Sequence, residues 1–214
     1  MIDWRFLIDR YLHNRRIADG FYYQFNDFTG GAYSESFFRP YILKKGDCFV
    51  DVGAHAGGWT IPASKFYNEI WAFEPFPHLV KVLRRNLEMN EIRNVIVLPT
   101  ALGEKNDERD FWINEGGIGT FDKTLKPRNA RFSFLKIKTL DSYGISPQVI
   151  KIDTEGYEIP ILEGGMNTIR KNRPLMAIET HHREDIEKIR LMLTGYDWTL
   201  LERGDQTLMA GIPR

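Results

Sequence analysis

Acidic and histidine side chains recur in this chain where short apolar runs end. Asp51 lies within Phe49-Val50-Asp51-Val52, and Glu74 closes Trp71-Ala72-Phe73. Asp153 and Glu155 follow Val149-Ile150-Lys151-Ile152, and Glu179 and His181 follow Leu175-Met176-Ala177-Ile178. Carboxylates and imidazoles so placed can take a proton from a hydroxyl, hold a divalent cation, or accept hydrogen bonds from a diol. A core strand rarely ends in acids as closely spaced as Asp153, Glu155 and Glu158 without a cation, a hydroxyl or a backbone amine to satisfy them. Helix N-capping by Asp153 and Glu155 is the commoner explanation of any one such acid. His181 and His182 titrate near neutral pH and read equally as a general base or as ordinary loop histidines.

The spacing around the first run is the most informative. Gly53 follows the run, and Glu74 lies 21 positions past it. An acid at that distance, closing the second strand of a βαβ unit, is placed to accept hydrogen bonds from ribose hydroxyls. The dinucleotide fingerprint has its first two glycines two apart and its third three further on. Here Gly53 and Gly57 are four apart, and His55 stands where the middle glycine should be. No Gly-Lys-Ser/Thr follows, so a phosphate-cradling P-loop is absent. One close backbone approach without a phosphate nest suits a nucleoside that lacks phosphates, and S-adenosylmethionine is such a ligand. The alternative, a glycine turn that merely joins strand to helix, does not account for the acid downstream.

The elements that must position these groups alternate along the chain. Strand 49–52 leads to a helix over about 57–66 and a strand over 69–73. A helix begins at Pro77, a favoured first-turn proline, and shows Val80, Leu83 and Leu87 on one face before Asn90. Strand 95–98 follows. Residues 103–140 break the rhythm with Asp110-Phe111-Trp112-Ile113 and Phe132-Ser133-Phe134-Leu135 about a Gly116-Gly117-Ile118-Gly119 turn, which reads as an antiparallel insertion. Strand 149–152, helix 159–170, strand 175–178 and helix 184–194 come next. Two strands, about 198–202 and 207–211, then pair as a hairpin across Gly204-Asp205. Upstream, Trp4, Leu7, Ile8, Tyr11 and Leu12 mark an amphipathic helix over 2–12, and the aromatic Phe21-Tyr22-Tyr23-Gln24-Phe25 precedes Gly30-Gly31. Short apolar strands between amphipathic helices predict an α/β fold, a mostly parallel sheet with helices on both faces. Such sheets bind ligands beyond the carboxyl ends of their strands, where the winding reverses.

Composition sets further bounds. At 214 residues the chain is expected to form one domain, with 1–45 as a helix and acceptor-side cap and 46–214 as the core. Lys plus Arg and Asp plus Glu both total 29, so the formal net charge is zero, which argues against a nucleic-acid partner. The single Cys48 cannot form an internal disulfide. No apolar run approaches the roughly 20 residues of a spanning helix, and a soluble, cytoplasmic protein is the expectation. The chain starts just before a helix and ends just after a strand, which would also permit excision from a longer protein.

In order and spacing, several strings resemble the FkbM-type methyltransferases over residues 33–180. They are Glu35, Asp51-Val52-Gly53-Ala54 with Gly57, Phe73-Glu74-Pro75, Asn86 with Asn90, Ala101-Leu102-Gly103, Thr139-Leu140-Asp141, and Lys151-Ile152-Asp153-Thr154-Glu155-Gly156 with Glu158. The resemblance implies a class I, Rossmann-like methyltransferase fold with seven strands, the last antiparallel. It also implies S-adenosylmethionine-dependent O-methylation of a hydroxyl, often on a sugar, glycan or natural product. In that frame Glu74, beside Pro75, holds the ribose. The backbone of Gly53, Ala54 and His55 faces the methionine, Thr100 and Ala101 border the adenine, Asp51 orders the turn, and Gly57 belongs to the same cofactor-binding set. Glu35 reads as approaching the methionine amine or acceptor, or as a surface acid.

For the reaction itself, Asp153 and His181 are the candidate bases, with Glu155 beside them. Asp153, Glu179 and His181 are the alternative ligands of Mg2+ or another divalent metal. Competing readings are an NAD(P)-dependent oxidoreductase, an RNA 2′-O-methyltransferase and a non-catalytic cofactor-binding module. The glycine spacing opposes the first, the lack of a traceable Lys-Asp-Lys-Glu set the second, and the retained second acidic cluster the third. The Asn/Asp-Pro-Pro-Tyr/Phe string of DNA amino-methyltransferases is absent.

Overall fold

A computed structural model of the chain describes residues 15–18, 21–24, 34–113, 119–120 and 131–214. The helix expected over 2–12, the Gly30-Gly31 turn and residues 116–118 lie outside them. The strands are β1 (Arg15–Ala18), β2 (Phe21–Gln24), β3 (Gly46–Val52), β4 (Tyr67–Phe73), β5 (Val95–Leu98), β6 (Ala101–Leu102), β7 (Asp107–Ile113), β8 (Gly119–Thr120), β9 (Arg131–Lys138), β10 (Val149–Asp153), β11 (Leu175–Thr180), β12 (Tyr196–Arg203) and β13 (Gln206–Pro213). The helices are α1 (Ser34–Ile42), α2 (Thr60–Ala63), α3 (Pro77–Met89), α4 (Glu158–Gly164), α5 (Met166–Asn172) and α6 (Arg183–Met192).

Among the described residues, one sheet has seven strands in the order β12-β13-β11-β10-β3-β4-β5. Every pairing is parallel except those of β13, which runs against both neighbours. This is the α/β class I architecture with an antiparallel final strand. The winding reverses between β3 and β10, which sets Asp51 opposite Lys151 and brings the acid-bearing strand ends together. β10 and β11 read Val-Ile-Lys-Ile-Asp and Leu-Met-Ala-Ile-Glu-Thr, and the central strands are buried on both faces, as their apolar composition requires. Gly204 takes φ +60°, the left-handed value a two-residue hairpin demands between β12 and β13.

The insertion forms its own sheet in the order β6-β9-β7-β8, with β7 antiparallel to β8 and β9 and β6 parallel to β9. β1 and β2 pair as an antiparallel hairpin that touches α3.

Two helices differ from expectation. The helix placed at 57–66 is the single turn α2, because Gly57 takes φ +98° at its start, Pro62 has no N–H, and the Ser64 hydroxyl turns onto the Ile61 carbonyl at its end. The helix placed at 159–170 is two, α4 and α5, meeting at Gly165. The Asp141 carboxylate accepts the amides of Asn167 (3.2 Å) and Thr168 (2.7 Å) and so caps a new helix start. Among the described residues no helix is long and apolar enough to cross a membrane.

Candidate active site

The first half of the site is built by the turn after β3. Gly53 adopts φ +77°, and a Cβ there would lie 1.9 Å from the Asp153 carbonyl oxygen, so only glycine lets β3 and β10 close at this point. The Gly53 and Ala54 amides both donate to the Phe73 carbonyl at 3.0 Å. Glu74 is buried one residue later. Its Oε2 accepts the His55 amide at 2.9 Å, and its Oε1 accepts the Phe76 amide at 3.0 Å. His55 itself sits at φ +49°. The acid therefore fixes both the glycine turn and the start of α3. Each of its oxygens keeps a further lone pair for a ligand hydroxyl. Burial pushes the Glu74 carboxyl up to about 7, against the pull of the two amides and of Lys151.

Beneath the turn lies a charge cluster. Asp51 is fully buried, and its Oδ2 accepts the Thr60 hydroxyl at 2.6 Å. Its Oδ1 pairs with Lys151 Nζ at 3.3 Å. Lys151, 3% exposed, also donates to the Gly53 carbonyl at 3.0 Å and lies 3.7 Å from Asp153 Oδ2. Burial opposes its charge, but Asp51 and then Asp153 outweigh that and hold the ammonium above its usual range. One lysine thus ties together the turn, the acid inside β3 and the acid ending β10.

The second half lies at the ends of β10 and β11, where Asp153 and Glu179 are register partners. Burial raises both carboxyls, Glu179 to about 7, with Asp153 the next cause at Glu179. His181 Nε2 lies 3.1 Å from Glu155 Oε2, and Gln206 Nε2 is 3.1 Å from the same ring nitrogen. Its Nδ1 is 3.8 Å from Glu158 Oε1. Burial opposes the imidazolium, but Glu155 and Glu158 outweigh it and push His181 up to about 11. In return His181 overcomes burial at Glu155 and holds that carboxyl below its usual range. Fully buried Glu158 accepts from the Thr154 amide (3.3 Å), the Thr154 hydroxyl (3.2 Å) and the Gly156 amide (3.1 Å), closing the loop on itself. Ligand atoms of Asp153, Glu179 and His181 all lie within 4.8 Å of one another, an oxygen-rich donor set suited to a hard divalent cation.

The sequence-derived residues thus fall into two adjoining groups. Asp51, Gly53, Ala54, His55, Gly57 and Glu74 surround the turn, with Pro75 partly buried beside them; Asp153, Glu155, Glu179 and His181 form the acidic end. Thr100 hydrogen-bonds Tyr143, whose ring meets Phe73 edge-on at 5.1 Å, and Ala101 is buried in β6. Glu35 lies in the first turn of α1, one turn ahead of Phe38, which packs on Trp59 beside the glycine turn. His182 is the N-cap position of α6, with its amide on the Thr180 hydroxyl at 3.4 Å. Sequence reasoning did not single out the roles of Lys151, Gln206 or Asn86. Asn86, fully buried, donates to the Ala56 carbonyl at 2.8 Å and braces the turn from α3. A lysine inside an apolar strand was the one available signal.

The model of the methyltransferase FkbM domain matches residues 51–206, which contain both halves of this site. The chain belongs to the FkbM methyltransferase family. No curated protein matches it in sequence. Among solved structures it is similar to methyltransferase FkbM from Methylobacillus flagellatus KT, at 21% identity and a TM-score of 0.61, covering 83% of this chain and 47% of that one. The FkbM chain described here thus spans about half the length of that relative. It is also similar to an rRNA methylase from Streptococcus thermophilus (12% identity, TM-score 0.55, 85% of this chain and 95% of that one). A third is M. jannaschii TYW2 in complex with AdoMet (12%, 0.52, 94% and 85%). At such identities the likeness is one of fold.

Proposed function

We propose that this FkbM-family chain is an S-adenosylmethionine-dependent O-methyltransferase acting on a hydroxyl of a sugar, glycan or natural product. The observation that carries the reading is Glu74, clamped by the His55 and Phe76 amides beside a left-handed glycine turn; in this reading its remaining lone pairs accept from a ribose diol. The AdoMet complex of a protein with the same fold supports the choice of ligand. The cofactor supplies a methyl group on a sulfonium, an electrophile with a good leaving group. Positioning then supplies much of the acceleration.

The acceptor hydroxyl needs its proton removed as the C–O bond forms and the C–S bond breaks. His181, held protonated by Glu155 and Glu158, is poorly suited to take that proton at neutral pH. Asp153 and Glu179 side by side are better suited, because burial raises both and brings Glu179 to about 7, which gives a proton acceptor near neutrality. A divalent cation held by Asp153, Glu179 and His181 would instead acidify the hydroxyl, and would first have to displace the His181 proton. In this reading the chain is one cytoplasmic methyltransferase domain, with residues 1–45 capping the acceptor side. RNA as acceptor is the second reading, prompted by the rRNA methylase of the same fold; the zero net charge opposes it.

The test is calorimetric titration of S-adenosylmethionine and S-adenosylhomocysteine into the wild-type chain and Glu74→Ala. Micromolar binding that weakens by about tenfold or more is expected for loss of a charged hydrogen bond of roughly 1.5–3 kcal/mol. Absence of binding by either ligand would overturn the proposal. Acceptor screening with and without Mg2+, RNA included, follows a positive result.

A further inference from the structure

The loop between β10 and α4 carries Glu155 and leads into Glu158 at the start of α4, the two acids that hold His181, and its backbone is unusual. Glu155 adopts φ +57° and Gly156 φ +97°. A non-glycine residue in that region persists only where its surroundings over-determine it. Glu158 supplies one restraint, but its partners are the Thr154 amide and hydroxyl and the Gly156 amide. That restraint fixes the shape of the loop, not its place.

One external restraint is the pairing of Glu155 and Glu158 with His181, and a second comes from the insertion. Tyr157, between Gly156 and Glu158, is 8% exposed, and its ring lies over Gly103, where a Cβ would approach Cε1 to 3.2 Å. Its hydroxyl donates to Glu104 Oε2 at 3.2 Å. Arg109, on β7, sends one guanidinium nitrogen to the Tyr157 hydroxyl and another to Glu104 Oε1, while its Nε donates to Asp107 Oδ2 at 3.1 Å. The three side chains close a ring in which arginine donates to both partners and tyrosine donates to the acid. Forked, mutually supporting pairs of this kind are the exception to the weakness of half-exposed ion pairs.

We infer that Arg109, Glu104 and Tyr157 form a clasp by which the insertion positions the acid loop of residues 153–158. The three are positioning residues, acting through Glu155 and Glu158. The insertion thereby becomes a support of the acceptor side rather than an appendage. Its functional weight rests on the proposed acceptor role of that loop, but its geometry does not.

Hydrogen exchange at the Thr154 and Gly156 amides tests the clasp without turnover or cofactor, so its outcome is separable from the methyltransferase proposal. Arg109→Gln and Tyr157→Phe are each expected to speed exchange there by about tenfold, the effect of one lost hydrogen bond of ordinary strength. The double variant should exchange no faster than the faster single, because either change opens the same ring. Arg109→Lys should recover part of the protection, and amides of Val50 and Ile150 in the central strands should not change. Unchanged exchange at 154 and 156, multiplied effects in the double variant, or a parallel rise at 50 and 150 would each overturn the clasp.

Discussion

Lys151→Met is the sharpest probe of how the site is held together. The ammonium lies 3.3 Å from Asp51 Oδ1, and neither side chain meets solvent appreciably. At an effective dielectric of about 20, charges at that separation attract by about 5 kcal/mol, and stripping one partner from a buried pair typically destabilises by about 3–5 kcal/mol. Asp153 can turn toward water when the lysine is lost, because its side chain is 31% exposed; Asp51, at 0%, cannot. The loss should therefore fall mainly on Asp51. Urea unfolding followed by the fluorescence of the five tryptophans should show Lys151→Met less stable by about 3–5 kcal/mol. Asp51→Asn should do less harm, because Lys151 keeps Asp153 and the Gly53 carbonyl, and asparagine can still accept from Thr60. The double variant should recover stability relative to Lys151→Met alone, with a coupling of at least about 2 kcal/mol. A loss under about 1 kcal/mol for Lys151→Met, or strict additivity in the cycle, would refute this account of the pair.

Two further outcomes follow from the turn. The Glu74 carboxyl is raised from 4.5 to about 7, so its ionised fraction grows about tenfold between pH 6 and 8. S-adenosylhomocysteine affinity should climb by up to that factor in the wild type and stay flat in Glu74→Gln. The same shift has the opposite sign for the ligand-free chain: the raised acid contributes stability that is complete below 4.5 and lost as pH rises through 7. A wild-type affinity independent of pH across that window would contradict the assignment. Gly53→Ala places a methyl 1.9 Å from the Asp153 carbonyl at φ +77°. It should remove S-adenosylhomocysteine binding and destabilise by at least about 2 kcal/mol, and wild-type melting would show that the turn has room to give.

Much of this was legible in the residues, for reasons of periodicity and punctuation. Pro77 marks the start of α3, Gly204-Asp205 marks the hairpin, and apolar runs mark the buried strands, each because local backbone chemistry leaves little choice. What sequence missed was set by residues far apart in the chain. The break between α4 and α5 depends on Asp141, 26 positions before Asn167. The role of Lys151 appears only when β10 pairs with β3 and sets it beside Asp51, 100 positions earlier. The high pKa of His181 likewise needs Glu155 and Glu158 folded back toward β11. A strand pattern shows that an acid sits at the mouth of the sheet, but not which neighbour neutralises it.

Those neighbours divide the proposed chemistry between the two halves. Around the turn, Lys151 balances Asp51 and leaves Glu74 as the acid whose charge a cofactor can meet, with both oxygens already aimed by backbone amides. At the acidic end the imidazolium of His181 is taken up by Glu155 and Glu158, which leaves Asp153 and Glu179 facing one another in register with insufficient positive charge between them. Two carboxyls in that situation do not ionise together readily, and the value at Glu179, raised first by burial and then by Asp153, reflects both. In the proposed reaction Glu179, raised to about 7 beside Asp153, takes the proton from the hydroxyl and returns it to water. The same pair would also welcome a divalent cation. Both routes of the proposed reaction begin at these two carboxylates; in the metal-free route His181 serves them by holding the loop beside them, and in the metal route it would join them as a ligand.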